Sequence, residues 1–234
     1  MKVAIVGAGI VGLATTYELV KRGIDVTCFE AAEPMSARSL GETRIFRLAH
    51  RDAVLVDHAR RSRALWRDWE EHSGESLIGG QGAVVSGGVA LQWHEAMLQA
   101  GVDCELFDGP TGLGVPTKRS DGPYLRDPSG GVIAARRAGE FLRRQVGDRV
   151  LRALIFDIET RGPRAALYAH LRPAGSRIDG ELYVGEFDQV VIVAGAATAP
   201  LAARVGLYTP TELEHHARFG FRLRDRDAKP LCWL

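Results

Sequence analysis

The first thirty residues switch twice between two patterns of apolar positions. A short run of β-branched residues over 2–6 predicts a buried strand, and apolar side chains at helical spacing over 13–22 predict a helix that ends before Gly23. A second short apolar run over 25–29 predicts another strand. This order predicts a βαβ unit with two parallel strands.

The rest of the chain continues the mixture of helical and strand patterns. The predicted helices cover residues 54–73, 91–100 and 135–146. The predicted strands cover residues 82–86, 150–158, 167–171, 181–184, 189–193 and 219–223. A stretch rich in glycine and proline over 109–123 predicts a loop. The whole pattern indicates an α/β protein.

Composition and charge narrow the classes of function. The 234 residues are 46% hydrophobic and 25% charged, with a mean hydropathy of -0.07, which is ordinary for a globular protein and excludes disordered and fibrous classes. The formal net charge is +1, so no overall field favours nucleic acid or an anionic membrane, and neither is an expected partner.

The apolar run over residues 3–17 resembles a targeting segment only superficially. Its 15 residues are fewer than the roughly 20 needed to span a membrane. No A-x-A cleavage site follows, so a signal peptide is not indicated either. We therefore expect the protein to lie in the cytoplasm.

Cysteines and histidines give no metal or disulfide signal. Cys28, Cys104 and Cys232 are odd in number, far apart and without CxxC spacing. His215 and His216 are adjacent, so in a strand their side chains would point to opposite faces. No metal site is predicted.

A glycine motif follows the first predicted strand. Gly7, Gly9 and Gly12 match GxGxxG, in which the first glycine permits a tight turn, the second lets a pyrophosphate approach the backbone, and the third lets helix and strand pack closely. Ile10 and Val11 would begin the helix, whose free N–H groups and positive dipole end suit an anion. The motif predicts a nucleotide-binding turn.

An acidic residue completes this nucleotide motif. Glu30 ends the second strand, 18 residues after Gly12, where a carboxylate accepts hydrogen bonds from ribose hydroxyls. It also disfavours NADP, whose 2′-phosphate it would repel, and leaves FAD and NAD open. Thr16 stands where glycine or alanine is common, so slightly looser packing of helix on sheet is expected.

Residues 39–47, Ser-Leu-Gly-Glu-Thr-Arg-Ile-Phe-Arg, resemble the segment that follows the acidic residue in the monomeric sarcosine oxidase group of the D-amino-acid-oxidase-like flavoproteins. Looser matches follow in the family's order at residues 127–133, 149–151 and 190–196. The resemblance implies FAD as the cofactor.

The resemblance also implies a domain organisation. It predicts a Rossmann-like FAD-binding domain with a parallel sheet from residues 1–76 and 146–207, interleaved with a partial α+β substrate domain from residues 77–145 and 208–234. Because family members continue beyond this point, we expect the chain to be an amino-terminal portion, with further substrate-domain and flavin contacts supplied by the remainder.

The implied reaction is the oxidation of an amine or amino acid, with molecular oxygen as acceptor. A hydride passes from the amine-bearing carbon to the flavin, the imine hydrolyses, and the reduced flavin gives hydrogen peroxide. By resemblance, Arg44 lies beside the flavin ring and Arg47 holds the substrate carboxylate, which suits a bidentate guanidinium. The simpler alternative is two surface arginines on a helical turn. Leu40 stands where sarcosine oxidases carry histidine, so the surroundings of the flavin should differ.

The motif and the resemblance together give a set of expected cofactor contacts. Ala194 and Gly195 enter this set because a strand that ends in small residues lets the backbone pass near a cofactor. The expected cofactor-binding residues are Gly7, Gly9, Ile10, Val11, Gly12, Glu30, Arg38, Ser39, Thr43, Arg44, Leu154, Ala194 and Gly195.

Two other functions remain open from the sequence. One is a non-catalytic nucleotide-binding remnant, or a subunit of a hetero-oligomer whose second chain supplies the missing half. The other is an NAD-dependent dehydrogenase, which shares the βαβ unit but would not need the segment over 39–47.

Overall fold

The computed structural model describes residues 1–109, 122–171, 180–212, 214, 224 and 231–233. The described helices are Ile10–Lys21 (α1), Ala53–Ser73 (α2), Val89–Gln99 (α3), Ala135–Val146 (α4) and Thr198–Arg204 (α5). The described strands are Lys2–Val6 (β1), Asp25–Glu30 (β2), Thr43–Phe46 (β3), Ala83–Ser86 (β4), Glu105–Asp108 (β5), Pro123–Asp127 (β6), Gly131–Ala134 (β7), Val150–Arg152 (β8), Leu154–Arg161 (β9), Arg164–Leu171 (β10), Gly180–Phe187 (β11), Gln189–Ile192 (β12) and Cys232–Trp233 (β13).

The chain divides into two compact units. The first unit comprises Met1–Leu40 and Gly139–His216, and the second comprises Gly41–Ala138 and Ala217–Leu234. Both units are discontinuous in sequence. The functional domain bounds expected from the resemblance remain a prediction, since a division by contacts does not test them.

The first unit contains a parallel sheet in the order β12-β1-β2-β8. The predicted βαβ unit is confirmed, and the apolar side chains of β1 are buried. α1 packs closely on this sheet at Gly12, where a Cβ atom would lie 1.8 Å from the carbonyl oxygen of Gly7. Thr16 is fully buried, and its hydroxyl donates to the Gly12 carbonyl oxygen at 2.8 Å. The polar group of Thr16 is thus satisfied within the helix.

An antiparallel sheet in the order β11-β10-β9 also belongs to the first unit. Phe187 of β11 packs edge-on against Phe29 of β2, with ring centroids 5.8 Å apart, and this contact joins the cores of the two sheets.

The single strand predicted over residues 150–158 is wrong. β8 pairs with β2 in the parallel sheet, whereas β9 belongs to the antiparallel sheet. The buried residue Ala153 separates them, and its N–H donates to the carbonyl oxygen of Glu30 at 2.9 Å. A continuous apolar pattern therefore hides a change of sheet, because both strands bury apolar side chains.

The second unit contains a sheet in the order β13-β4-β6-β5 and a two-stranded sheet of β3 and β7. Asp52 caps the amino end of α2, with its carboxylate accepting from the N–H of Leu55 at 2.9 Å, and Gly74, with φ 68°, caps the carboxyl end. The predicted helices α2, α3 and α4 are confirmed within two residues. Five strands of this unit, β3, β5, β6, β7 and β13, were not predicted, because runs of two to five mixed residues carry little periodicity.

Several predictions fall outside the described residues. They are most of the loop over 109–123, the strand over 219–223, and the pair His215 and His216. Among the helices that the structure does describe, none is both long and apolar enough to cross a membrane.

Candidate functional site

The turn between β1 and α1 has the close backbone packing that the glycine motif predicts. Gly7 has φ +107°, and a Cβ atom there would lie 2.7 Å from the carbonyl oxygen of Val193, so a side chain has neither the conformation nor the space. The Gly7 N–H donates to the carbonyl oxygen of Phe29 at 2.8 Å. The turn is therefore held between β2 and the end of β12, directly before Ala194.

The start of α1 offers backbone donors. In the described part of the chain, no group accepts a hydrogen bond from the N–H of Val11 or of Gly12, as expected for the first turn of a helix. The N–H of Ile10 donates to the hydroxyl of Ser39 at 3.0 Å. A Cβ atom on Gly9 would lie 3.0 Å from the same hydroxyl oxygen, so Ser39 lies directly beside the turn.

Two further expected contacts lie together in the same unit. A Cβ atom on Gly195 would lie 3.9 Å from Cδ of Arg38. The side chain of Arg38 is exposed at this point, next to Ser39 in the chain. The structure thus brings together residues from three separate segments that the sequence assigned to one cofactor.

Glu30 ties the end of β2 to the glycine turn. Its carboxylate accepts from the N–H of Ala8 at 2.7 Å and from that of Ala32 at 3.1 Å. Glu30 also lines a cavity of about 520 Å³ in the first unit. Other side chains that line this cavity are Glu33, Pro34, Glu140, Arg143, Arg144 and Arg152.

In the segment after α4, the residues that line this cavity are not the one that the sequence predicted, Leu154. Val150 and Arg152 of β8 line it, whereas Leu154 begins β9 and is not among the lining residues that the structure describes. The sequence did not single out Arg152 because an exposed arginine at a strand end carries no local signal.

The described residues fit the ADP half of a dinucleotide. A turn with glycine at positions 7 and 9 meets the first turn of a helix whose N–H groups at Val11 and Gly12 have no acceptor in the part of the chain that the structure describes. The carboxylate of Glu30 lies at the edge of an open cavity of a size suited to a nucleoside. The helix start suits a pyrophosphate, and the carboxylate of Glu30 suits the hydroxyls of a ribose.

Arg44 lies in a strand of the second unit, so the alternative of two arginines on a helical turn is wrong. Its Nη1 donates to the carbonyl oxygen of Thr43 at 2.7 Å. Gly41 has φ +134°, and a Cβ atom there would lie 2.6 Å from Nη1 of Arg44. A side chain at position 41 would therefore collide with the guanidinium of Arg44, and glycine avoids this collision.

Arg47 follows β3 and is partly buried. Its guanidinium lies over the indole of Trp93 on α3, with the central carbon 4.6 Å from the ring centroid. Burial lowers the pKa of Arg47, and the charge of Asp127 opposes this shift. Because an arginine pKa is so high, Arg47 stays charged at neutral pH.

The imidazole ring of His50 stacks on the indole ring of Trp93. Its ring lies 6.4 Å from that of Trp93, centroid to centroid, at an interplanar angle of 29°. Burial lowers the pKa of His50, and the charge of Arg47 lowers it further, whereas Asp52 and Asp127 act against the shift. The lowered pKa favours the neutral form of His50 at pH 7, so Arg47 supplies the main positive charge of this cluster.

Arg47 and His50 line a shallow cavity of about 360 Å³ together with Phe46, Leu55 and His58. The sequence pointed to Arg47 alone. Trp93 and His50 were missed because no periodicity or motif links α3 to the end of β3.

Residues 2–227 match the protein family described as FAD dependent oxidoreductase. The chain belongs to this family. FAD is the family's cofactor, as the resemblance implied, and this membership decides against the NAD-dependent alternative. Among curated proteins, monomeric sarcosine oxidase of Bacillus sp. (strain B-0618) is 25% identical over 229 residues, which cover 90% of this chain and 55% of that protein.

Solved structures share the fold of this chain. Glycine oxidase from Geobacillus kaustophilus superposes with a TM-score of 0.71 at 22% identity, over 88% of this chain and 58% of that chain. L-proline dehydrogenase from P. horikoshii gives a TM-score of 0.73 at 18% identity, over 89% of this chain and 56% of that chain. The chain spans about half the length of these relatives.

Proposed function

We propose that the first unit binds the ADP half of FAD, with the pyrophosphate at the N–H groups of Val11 and Gly12 and the ribose hydroxyls at Glu30. The observation that carries this proposal is Glu30, which lines an open cavity and also accepts from the N–H of Ala8 in the glycine turn. In the same turn, the N–H groups of Val11 and Gly12 have no acceptor among the described residues. A side chain at Gly9 would intrude on the same approach.

We further propose that Arg38, Ser39, Ala194 and Gly195 contact the cofactor, since they lie at or beside this turn in the structure. Thr43 and Arg44 are assigned to the cofactor as well, on the resemblance of their segment. Leu154 is the least supported of the expected contacts, because the residues that line the cavity come from β8.

The reaction we propose for the protein is the oxidation of an amine or amino acid, with oxygen as the final acceptor. FAD, when bound, accepts the hydride. Arg47 binds the substrate carboxylate, because it is charged, partly buried and positioned over the ring of Trp93. Phe46 and Leu55 line the same cavity as Arg47, so a carboxylate held there would have apolar as well as polar neighbours.

The experiment that tests the cofactor proposal is a titration of the purified chain with FAD. Binding is measured from the absorbance and fluorescence of the flavin in the bound fraction. We expect binding by the unmodified chain, and a loss of at least about tenfold in affinity for Glu30→Ala. Glu18→Ala, on the same unit but away from the cavity, is the matched control and should bind normally. Failure of the unmodified chain to bind FAD would overturn the assignment.

The activity proposal needs a separate measurement, because the chain spans about half the length of its relatives. Hydrogen peroxide release is assayed with N-methyl, L- and D-amino acids. Release by this chain alone would exclude the non-catalytic alternative. Release only when a second chain is added would support a divided enzyme, and absence of turnover in the longest form of the protein would refute the oxidase assignment.

A further inference from the structure

An ion pair forms between two residues that line the cavity beside Glu30. Arg152, the last residue of β8, and Glu33, three residues after the end of β2, both line the cavity. Nη1 of Arg152 lies 3.3 Å from Oε1 of Glu33. Arg152 is also the register partner of Glu30 in the parallel sheet, so the pair joins the two chain segments that follow neighbouring strands.

The segment that carries Glu33 is fixed in place. Met35 adopts φ 66°, which a non-glycine residue takes at a cost of about 1–2 kcal/mol. Its N–H donates to the carbonyl oxygen of Ala8 at 3.0 Å, within the glycine turn. Its side chain packs on Gly139 of α4, where a Cβ atom would lie 2.9 Å from Cε of Met35. Contacts on two sides therefore hold Glu33 at the cavity.

The ion pair adds little to folding by itself. The side chains of Arg152 and Glu33 are 59% and 67% exposed, and exposed pairs of this kind have small effects on stability. Because both side chains line the cavity, the pair bears on ligand release more than on folding.

We propose that Glu33 and Arg152 form a clasp that retains the adenosine end of FAD and slows its release. This inference rests on the placement of the ADP half proposed above. In the bound state, the two side chains bridge the cavity over the ribose and base, and their separation precedes dissociation.

The test compares Glu33→Gln, Arg152→Gln and the double variant. The release rates of FAD and of ADP are measured by trapping the freed ligand with an excess of a second binding protein. A clasp predicts that each single variant releases both ligands about 2- to 5-fold faster, and that the double variant is no faster than the singles. Both ligands should respond alike, since ADP is the part enclosed.

A simple effect of charge gives a different result. Because FAD and ADP are anionic, removal of the Glu33 carboxylate would slow release, and removal of the Arg152 guanidinium would speed it. Opposite shifts in the two single variants, or unchanged release in both, would therefore overturn the clasp.

A second ion pair provides the matched control. Arg149 and Asp25 lie 3.8 Å apart and are 49% and 67% exposed, and they also join the start of β2 to the segment at β8, but neither lines the cavity. Arg149→Gln and Asp25→Asn should leave release unchanged, and an equal acceleration there would refute the proposal. If the unmodified chain binds FAD tightly but the Glu33 and Arg152 variants release it at the same rate, only the clasp is rejected. If the unmodified chain binds neither FAD nor ADP, the placement of the ADP half is rejected as well.

Discussion

Arg47 and Trp93 form a cation–π pair, with the guanidinium carbon 4.6 Å from the centroid of the indole ring. Arg47 directly follows β3 and Trp93 lies in α3, both in the second unit, and the two residues are 46 positions apart in the chain. An aromatic face fixes the plane of the guanidinium but leaves its N–H groups available at the edge. Trp93 is thus a positioning residue for Arg47.

This pair predicts the effect of Trp93→Leu on substrate binding. Loss of a cation–π contact of about 0.5–2 kcal/mol should raise KM for a carboxylate-bearing substrate roughly 2- to 30-fold, with little change in kcat. Trp93→Phe should retain most of the affinity. Steady-state kinetics of the active protein give both constants, and Trp66→Leu, which perturbs the same core away from Arg47, is the control. A fall in kcat with KM unchanged would contradict this role.

Asp127 should be essential to the stability of the second unit. Its side chain is fully buried, and it accepts hydrogen bonds from four backbone N–H groups, those of Leu48, Ala49, Ser129 and Gly130. Asp127→Asn replaces one acceptor by a donor and should lower the free energy of unfolding by about 2–3 kcal/mol.

Urea unfolding at neutral pH measures this loss. The control is Asp52→Asn at the start of α2, where asparagine caps a helix as well as aspartate does and the change should be close to zero. Equal stability of the two variants would show that the four hydrogen bonds do not depend on the charge of Asp127.

The glycines of the first turn predict two separable effects. Gly9 has φ -72°, and a Cβ atom there would touch only the Ser39 side chain, so Gly9→Ala should cost less than about 1 kcal/mol of stability. It should nevertheless weaken FAD binding at least about tenfold, because the methyl group occupies the approach of the pyrophosphate.

Gly12→Ala should act on folding first. Alanine usually stabilises a helix, but here its Cβ atom would lie 1.8 Å from the carbonyl oxygen of Gly7. We expect a loss of about 1–3 kcal/mol from overpacking, together with weaker FAD binding. Thermal melts without ligand and FAD titrations separate the two variants, and a Gly9→Ala protein that binds FAD normally would contradict the placement of the pyrophosphate.

Glu70 predicts a dependence of stability on pH. Burial raises the pKa of its carboxyl, but the N–H groups of Ile78 and Leu77 and the guanidinium of Arg63 outweigh this effect, so the pKa of Glu70 lies below the ordinary value of 4.5. A carboxyl with a lowered pKa in the folded state stabilises the protein above its unfolded pKa, and this stabilisation is lost as pH falls through the folded pKa.

The free energy of unfolding of Glu70→Gln should therefore lie about 1–3 kcal/mol below that of the unmodified chain at pH 7, and the gap should narrow below pH 4.5. Urea titrations at both ends of this range measure the gap. Glu71→Gln changes the same charge on an exposed neighbour and should have almost no effect. A gap that widens towards low pH would contradict the contacts of Glu70.

The parts of the fold that could be predicted from the sequence are those held together by residues close to one another in the chain. The βαβ unit was predicted closely because its strand, helix and glycine turn lie within thirty contiguous residues and each has a local pattern. β3 and β7 were missed because their stability comes from pairing between residues such as Arg44 and Ile133, which are far apart in sequence. The split of residues 150–158 into two strands was missed because both sheets bury the same kind of side chain.

The sequence by itself predicted a nucleotide-binding turn with Gly7, Gly9, Gly12 and Glu30, since the steric and electrostatic demands of a pyrophosphate and a ribose constrain residue types at short spacing. It determined the close strand–turn–helix geometry that the structure shows there. Only the tertiary structure decided which side chains surround that turn and Arg47. The contacts of Arg152 with Glu33, and of Trp93 with Arg47, depend on strands and helices that meet in space. No local pattern encodes such a meeting, because it is fixed by packing between segments distant in the chain.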